Sequence, residues 1–327
     1  MMVSSTRPEC AMTRLTRRSA LKVAGASLAA ATVPATAAAA ESDDGWTVVE
    51  TPVDSTLHDV AYTATNPHAV AGGGLVIERT ATGWEVVLQG GPTGNGNDLY
   101  GVDTTDDGKR LWVVGSSGAI GEYDVTTGNL VDRSAPNDYT ANFNDVSVTG
   151  PAGEADVYVA DDSGSIHYSF DNGKEGTWNY VVPGSGSGLN AIEFYADGAG
   201  HVIDTNGKVF ATDDGVTWNP IGIEDAGVTY YGLDSDAEDD VYVSGGNASV
   251  FDYTGSRWIP ESLGDAALFD IETEAGTGYT VGSGGAVFEL EDDKWTRNTT
   301  PVGENLRAVA TGDVDIAVGS SGALLER

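Results

Sequence analysis

The chain has 327 residues, with 50 Asp and Glu against 16 Lys and Arg, for a formal net charge of −34. That balance excludes non-specific binding to nucleic acid or to anionic lipid, both of which need a basic surface. A single cysteine, Cys10, excludes a disulfide scaffold or a thiolate metal cluster, whereas 40% hydrophobic residues and seven Trp allow a sizeable core.

The charge is uneven along the chain. Residues 1–40 hold five basic residues and one acid, which leaves 11 basic and 49 acidic residues, a net of −38, in residues 41–327. Thr16-Arg17-Arg18-Ser19-Ala20-Leu21-Lys22 resembles the twin-arginine export motif S/T-R-R-x-F-L-K, with Ala20 where Phe is favoured. An Ala-rich run follows, ending in Ala35-Thr36-Ala37 and Ala38-Ala39-Ala40, either of which suits signal cleavage. Residues 1–40 are therefore expected to be a cleaved leader that engages the export machinery through Arg17 and Arg18. Residues 41–327 are expected to form one exported, monomeric domain outside the cell or at its surface, with no membrane insertion after cleavage. A mature chain without Cys, poor in Lys and dense in carboxylates suits an organism living in concentrated salt, where a short screening length suppresses repulsion among the acids.

From residue 46 onward a repeat organises the sequence. A four-residue motif, apolar, then variable, then small or Asp, then Val/Ile/Leu, begins at Leu57, Leu99, Phe143, Leu189, Tyr230, Leu268 and Leu306. Its last residues are 38–46 positions apart, the length of one four-stranded propeller blade, as in WD40/YVTN-like repeats. Each unit continues with a second apolar run ending at a Gly or Asp turn, such as residues 111–118 and 316–322, and then a third strand. A fourth strand opens on Trp84, Leu130, Trp178, Trp218, Trp258 or Trp295. Short runs rich in Val and Tyr, separated by Gly, Asp and Asn, carry no helical periodicity. The seventh unit lacks its fourth strand, and Trp46-Thr47-Val48-Val49 is a fourth strand without a unit. Pairing the two predicts an all-β, seven-bladed propeller of 28 strands, its last blade closed by the N-terminal strand, with no open edge.

The unit, with its L-x-D-V opening, its V-G-s-x-G turn and its D-G-x-T-W segment, resembles the BNR or Asp-box propeller repeats of sialidases, sortilin-like proteins and photosystem II stability/assembly factors. The Asp-box S-x-D-x-G-x-T-W is matched at Asp213, Gly215, Thr217 and Trp218, with Ala211 in place of Ser. The resemblance implies a structural turn there, remote from any active site. Sialidases of this class clamp a carboxylate with three arginines. Of Arg79, Arg110, Arg133, Arg257, Arg297, Arg307 and Arg327, only Arg307 lies on an innermost strand, so that clamp cannot be built.

No nucleophile elbow, zinc motif or phosphate loop occurs. His58, His68, His167 and His201 fall in different units without ligand spacing, so neither a metal nor a cofactor is expected. Asn247-Ala248-Ser249 and Asn298-Thr299-Thr300 are acceptor sequons for N-glycosylation. The variable second position of the repeat is His58, Tyr100, Asn144, Asn190, Tyr231, Phe269 and Arg307, near the mouth of the channel. Those seven are the predicted binding surface for a protein or glycan. The third position, including Asp59, Asp145 and Asp270, reads as structural, its carboxylates bonding nearby backbone. The sequence thus points to a non-enzymatic binding or assembly module, with a secreted glycan-active hydrolase that uses carboxylates as the alternative.

Overall fold

The structure, a computed structural model, describes residues 45–223 and 226–327. Residues 1–40, the expected leader, lie outside them. Seven four-stranded antiparallel sheets follow in chain order, here blades 1 to 7. The innermost strands are Leu57–Tyr62, Leu99–Thr104, Phe143–Thr149, Leu189–Ala196, Tyr230–Ala237, Leu268–Glu274 and Leu306–Ala310. Second strands such as Pro67–Ala71 are buried on both faces and so are mainly apolar, His68 being an exception. The turn from second to third strand needs glycine in blade 7. Gly322 has φ +70°, and a Cβ there would lie 2.2 Å from the carbonyl oxygen of Val53.

The repeat motif has a specific backbone cause. In every blade the pairing of the innermost strand with the second strand skips one residue, between Leu57 and Asp59 in blade 1 and between Leu306 and Ala308 in blade 7. The same skip occurs at the motif of blades 2 to 6. The second motif residue is thus the extra residue of a β-bulge, with no cross-strand partner. Side chains alternate along a strand, so residues three apart would face opposite ways. The bulge returns the first and fourth motif residues to one face. Leu57 and Val60 pack there on Ile316, Val318 and Leu324 of blade 7, and Leu99 and Val102 pack on Val70 and Val76 of blade 1. Seven clusters of this kind fill the seven junctions between blades.

The opposite face of each innermost strand meets the next blade, and here carboxylates act as rivets. Asp59 accepts the N–H of Val102 at 2.8 Å, Asp103 that of Val148 at 2.7 Å, and Asp145 that of Ile192 at 2.8 Å. Glu193 accepts the N–H of Ser235 at 2.9 Å, Thr273 donates to Asp234 at 2.6 Å, and Asp270 accepts the N–H of Val309 at 2.8 Å. Every junction from blade 1–2 to blade 6–7 is bridged in this way. The third-position aspartates bond backbone, as their place in the repeat suggests, and their reach extends into the neighbouring blade. The approach is close: a Cβ on Gly101 would stand 2.8 Å from the Cα of Asp145.

The junction of blade 7 with blade 1 has alanines, Ala308 and Ala310, at the two riveting positions. It is fastened on the outside instead. Arg79 makes a two-pronged pair with Glu326 at 2.9 and 3.0 Å, Trp84 donates to the same carboxylate at 2.9 Å, and the Tyr62 hydroxyl bonds the Val314 carbonyl. Thr47 and Val48 pair with Glu326 and Leu325, which completes blade 7 from the N-terminal side. Trp46 beside them is fully buried, edge-on to Tyr279 at 5.3 Å, and donates to Asn298 at 3.2 Å. Trp46→Ala is expected to cost about 3–5 kcal/mol, read as a lower midpoint in urea unfolding. An unchanged midpoint would refute closure by this strand.

Candidate functional site

The seven bulged residues, His58, Tyr100, Asn144, Asn190, Tyr231, Phe269 and Arg307, are all half-buried, while the first motif residue beside each is buried. A bulge aims its extra residue away from the sheet, which frees this position from blade packing and lets it differ in each blade. The structure brings the seven together around one mouth of the channel, and five of them form a continuous arc. Tyr231 meets Phe269 edge-on at 5.5 Å, the Arg307 guanidinium lies over the Phe269 ring at 4.6 Å, and His58 meets Tyr100 edge-on at 5.1 Å. Arg307 and His58 are close enough to interact electrostatically. Burial pushes His58 below its usual pKa, the Arg307 charge adds to that, and Asp98 opposes it. Burial likewise raises Tyr100, with Asp98 adding to the effect.

Asn144 and Asn190 are differently employed. Asn144 donates to the Leu189 carbonyl at 2.8 Å and Asn190 to the Tyr230 carbonyl, each in the following blade. They extend the riveting and leave blades 3 and 4 with the polar side of the mouth. The Gly90–Asp98 loop borders the His58–Tyr100 side. Gly91 donates to Gly74 at 2.8 Å and Asp98 accepts from Gly73 at 2.7 Å, which ties the loop to the blade 1 turn.

Below the arc the channel holds a cavity of about 140 Å³ whose polar lining includes Asp59, Asp103, Asp145, Glu193 and Asp270. Burial raises Asp59 well above the usual carboxyl range, Asp145 and Asp270 add to this, and the N–H groups of Val102 and Val60 pull against it. These carboxylates are the acceptors that join the blades. Among the described residues no group of three or more His, Cys, Asp or Glu is arranged to hold a metal ion, and no helix is long and apolar enough to cross a membrane.

The remaining histidines lie apart, in three blades. His68 is buried with Nδ1 at 2.9 Å from the Asn66 carbonyl, and burial lowers its pKa. His167 contacts Asp161 at 3.1 Å. Burial pushes Asp161 up, but hydrogen bonds from His167, Tyr139 and the N–H of Ser165 outweigh it and hold the carboxyl at about 2. His201 has Nδ1 2.7 Å from the Ser235 hydroxyl, and burial holds it at about 4.

Two positions named from the sequence need correction. In the Asp-box segment the turn is held by Asp214, not Asp213: Asp214 accepts the N–H groups of Val216 at 2.8 Å and Thr217 at 2.6 Å, and its carboxyl is held at about 2. Gly215 has φ +70° and approaches Tyr158, while Trp218 is buried in the junction with blade 3. Thr217 contributes its backbone N–H to this turn. The sequon at Asn298 is closed in the folded chain. Its side chain is buried, accepts from Trp46 and Arg327, and donates to Glu289 at 3.1 Å, so the amide nitrogen is engaged. Asn247 stands exposed with φ +57° in a turn on the same face as the arc. Sequence reasoning missed Asp103, Glu193 and Asp234, one residue beyond the motif. Their signal was an acid directly after the apolar fourth position, where an isolated strand gives it no partner.

No protein-family model and no curated protein sequence matches the chain. Solved structures do. The chain is similar to YCF48 bound to D1 peptide, at 14% identity over 88% of this chain and 98% of that one, with a TM-score of 0.69. A catalytically inactive virginiamycin B lyase from Staphylococcus aureus with quinupristin matches at 13% identity, 86% and 98% coverage, and a TM-score of 0.73. The WD40 β-propeller domain of Doa1 matches at 12% identity, 88% and 96% coverage, and a TM-score of 0.69. At these identities the likeness shows the seven-bladed fold.

The buried histidines give a pH signature. A folded-state pKa held below its unfolded value stabilises the fold above the unfolded value, and that stability is lost as pH falls toward the folded one. For His201 the window runs from 6.5 down to about 4, with an upper bound of roughly 3 kcal/mol. Wild type is therefore expected to lose its stability advantage over His201→Gln as pH falls through that window. Parallel pH profiles of the two proteins in chemical unfolding would contradict it.

Proposed function

We propose that the chain is a non-catalytic propeller that binds a protein partner through the bulge residues at the channel mouth. The observation that carries this reading is the division of labour in the repeat. Three motif positions are committed to packing and riveting, while the bulged one is half-exposed in all seven blades. At five blades that position forms a contiguous arc of aromatic and cationic groups, the residue types that dominate binding energy in protein interfaces. The channel carboxylates Asp59, Asp103, Asp145, Glu193 and Asp270 support the same reading, because hydrogen bonds to the neighbouring blade account for them. YCF48 with its bound D1 peptide is an example of a protein of this fold with a peptide ligand.

The twin-arginine motif at Arg17 and Arg18, the absence of Cys from residues 41–327 and the net charge of −38 there support export to a salt-rich cell exterior. At that surface the protein acts as a monomeric binding or assembly module.

Tyr100→Ser, Tyr231→Ser and Arg307→Gln combined are expected to abolish capture of the partner in cross-linking pull-downs from the producing cells' surface. Each such anchor is worth on the order of 2 kcal/mol, and thermal unfolding of the triple variant should stay cooperative. Undiminished capture would contradict the assignment of this face.

A further inference from the structure

Arg307 is unlike the other arginines of this protein. Arg79 pairs with Glu326, Arg110 with Glu122 and Asp124, Arg133 with Glu122, and Arg327 with Glu289. Arg257 and Arg297 are exposed. Among the described residues Arg307 is the one half-buried arginine that no carboxylate meets, in a chain with 50 acidic residues. Its Nε is buried without a hydrogen-bond acceptor. A buried donor left unsatisfied costs about 1–3 kcal/mol; the Nε of Arg133 is in the same state but that guanidinium pairs with Glu122, whereas Arg307 has no anionic partner unless something outside the chain supplies one.

Its surroundings state what that something is. The Arg307 guanidinium carbon lies 4.6 Å from the centre of the Phe269 ring, so one side of the charge rests on an aromatic surface and its N–H groups are the means of polar contact. A planar fork of N–H donors matches a carboxylate in a two-pronged geometry. Tyr231 continues the aromatic wall on the far side of Phe269 at 5.5 Å. His58, on the other side, is pushed toward its neutral form by burial and by Arg307 itself. The arc therefore offers one fixed positive charge next to an aromatic wall.

From this geometry we propose that Arg307 receives a carboxylate of the partner polypeptide, with an aromatic or aliphatic side chain beside that carboxylate resting on Phe269 and Tyr231. The inference rests on the reading of this face as the protein-binding surface and adds the chemistry of what is bound. A chain-terminal carboxylate and an Asp or Glu side chain supply the same group, and the test separates them.

The full chain would be titrated with three probes: N-acetylphenylalanine, N-acetylphenylalanine amide, and N-acetylglutamyl-phenylalanine amide. The readout is the Arg307 Nε–H resonance, assigned by its loss in Arg307→Lys. The expected result is a saturable shift with at least one carboxylate probe and binding of the uncharged amide weaker by about tenfold or more. A response to the first probe alone identifies a chain terminus, and a response to the third identifies an acidic side chain. Arg307→Gln should weaken the responsive probe by about tenfold or more, followed through the Tyr231 and Phe269 resonances, and Phe269→Ala should weaken it as well. Equal binding of the amide, or unchanged affinity in a folded Arg307→Gln variant, would overturn the proposal. Failure of the carboxylate inference alone would appear as partner capture that survives Arg307→Gln but is lost on Tyr100→Ser with Tyr231→Ser. Loss of the binding-face reading would appear as capture that survives all three.

Discussion

Seven sheets standing around one axis present seven inner edge strands to the same channel. The N–H groups on those edges have no neighbouring strand to accept them, and a buried backbone donor must find a partner. The protein answers with side-chain carboxylates set at two positions of the innermost strand. Asp59, Asp103, Asp145, Glu193 and Asp270 each accept an N–H from the following blade, and Asp234 accepts the Thr273 hydroxyl. Charged acceptors make the stronger hydrogen bonds, and placing the acceptor on one blade and the donor on the next turns an edge problem into a circumferential fastening. The cost is mutual repulsion in a narrow space, visible in the upward push on Asp59 from Asp145 and Asp270.

The same constraint explains why the last junction is built differently. Blade 7 is assembled from both ends of the propeller segment, with Thr47 and Val48 beside Leu325 and Glu326. Alanines replace the inner acids there, and fastening moves outward to Glu326, which Arg79 and Trp84 hold together. The described acids thus have several uses. Many are solvated at turns and outer strands, Asp161 and Glu122 are buried against His167 and Arg133, Glu326 fastens the last junction, and those in the channel are structural acceptors. A carboxylate in the channel is a mark of the fold before it is a mark of chemistry.

The architecture was legible in the sequence because blade-level repetition survives divergence: the apolar first and fourth motif positions, the tryptophans that open outer strands, and the orphan strand at Trp46 sufficed. The bulge was legible in principle. Two buried residues three apart, such as Leu57 and Val60, cannot share a strand face without an extra residue between them. The inner acids were harder to read, since Asp103 and Glu193 gain their meaning from backbone about 45 residues later in the chain. Asp213 and Asp214 are adjacent, and only the turn geometry decides which carboxylate faces the N–H groups of Val216 and Thr217. Asn298 carries a sequon and also the acceptor for Trp46, and long-range packing decides between those uses. Within the predicted ring, the split between the arc and the backbone-bound Asn144 and Asn190 is again a matter of neighbours in space.

The central claim is that channel carboxylates satisfy the inner-edge N–H groups and so hold the blades in a ring. Native-state hydrogen exchange of the amides of Val102, Val148, Ile192, Ser235 and Val309 tests it most directly. The account predicts protection equal to that of the cross-strand amides of the same strands, with Asp103→Ala releasing Val148 while leaving Ile192 and Val309 protected. Rapid exchange of these five amides in the wild-type protein would contradict it.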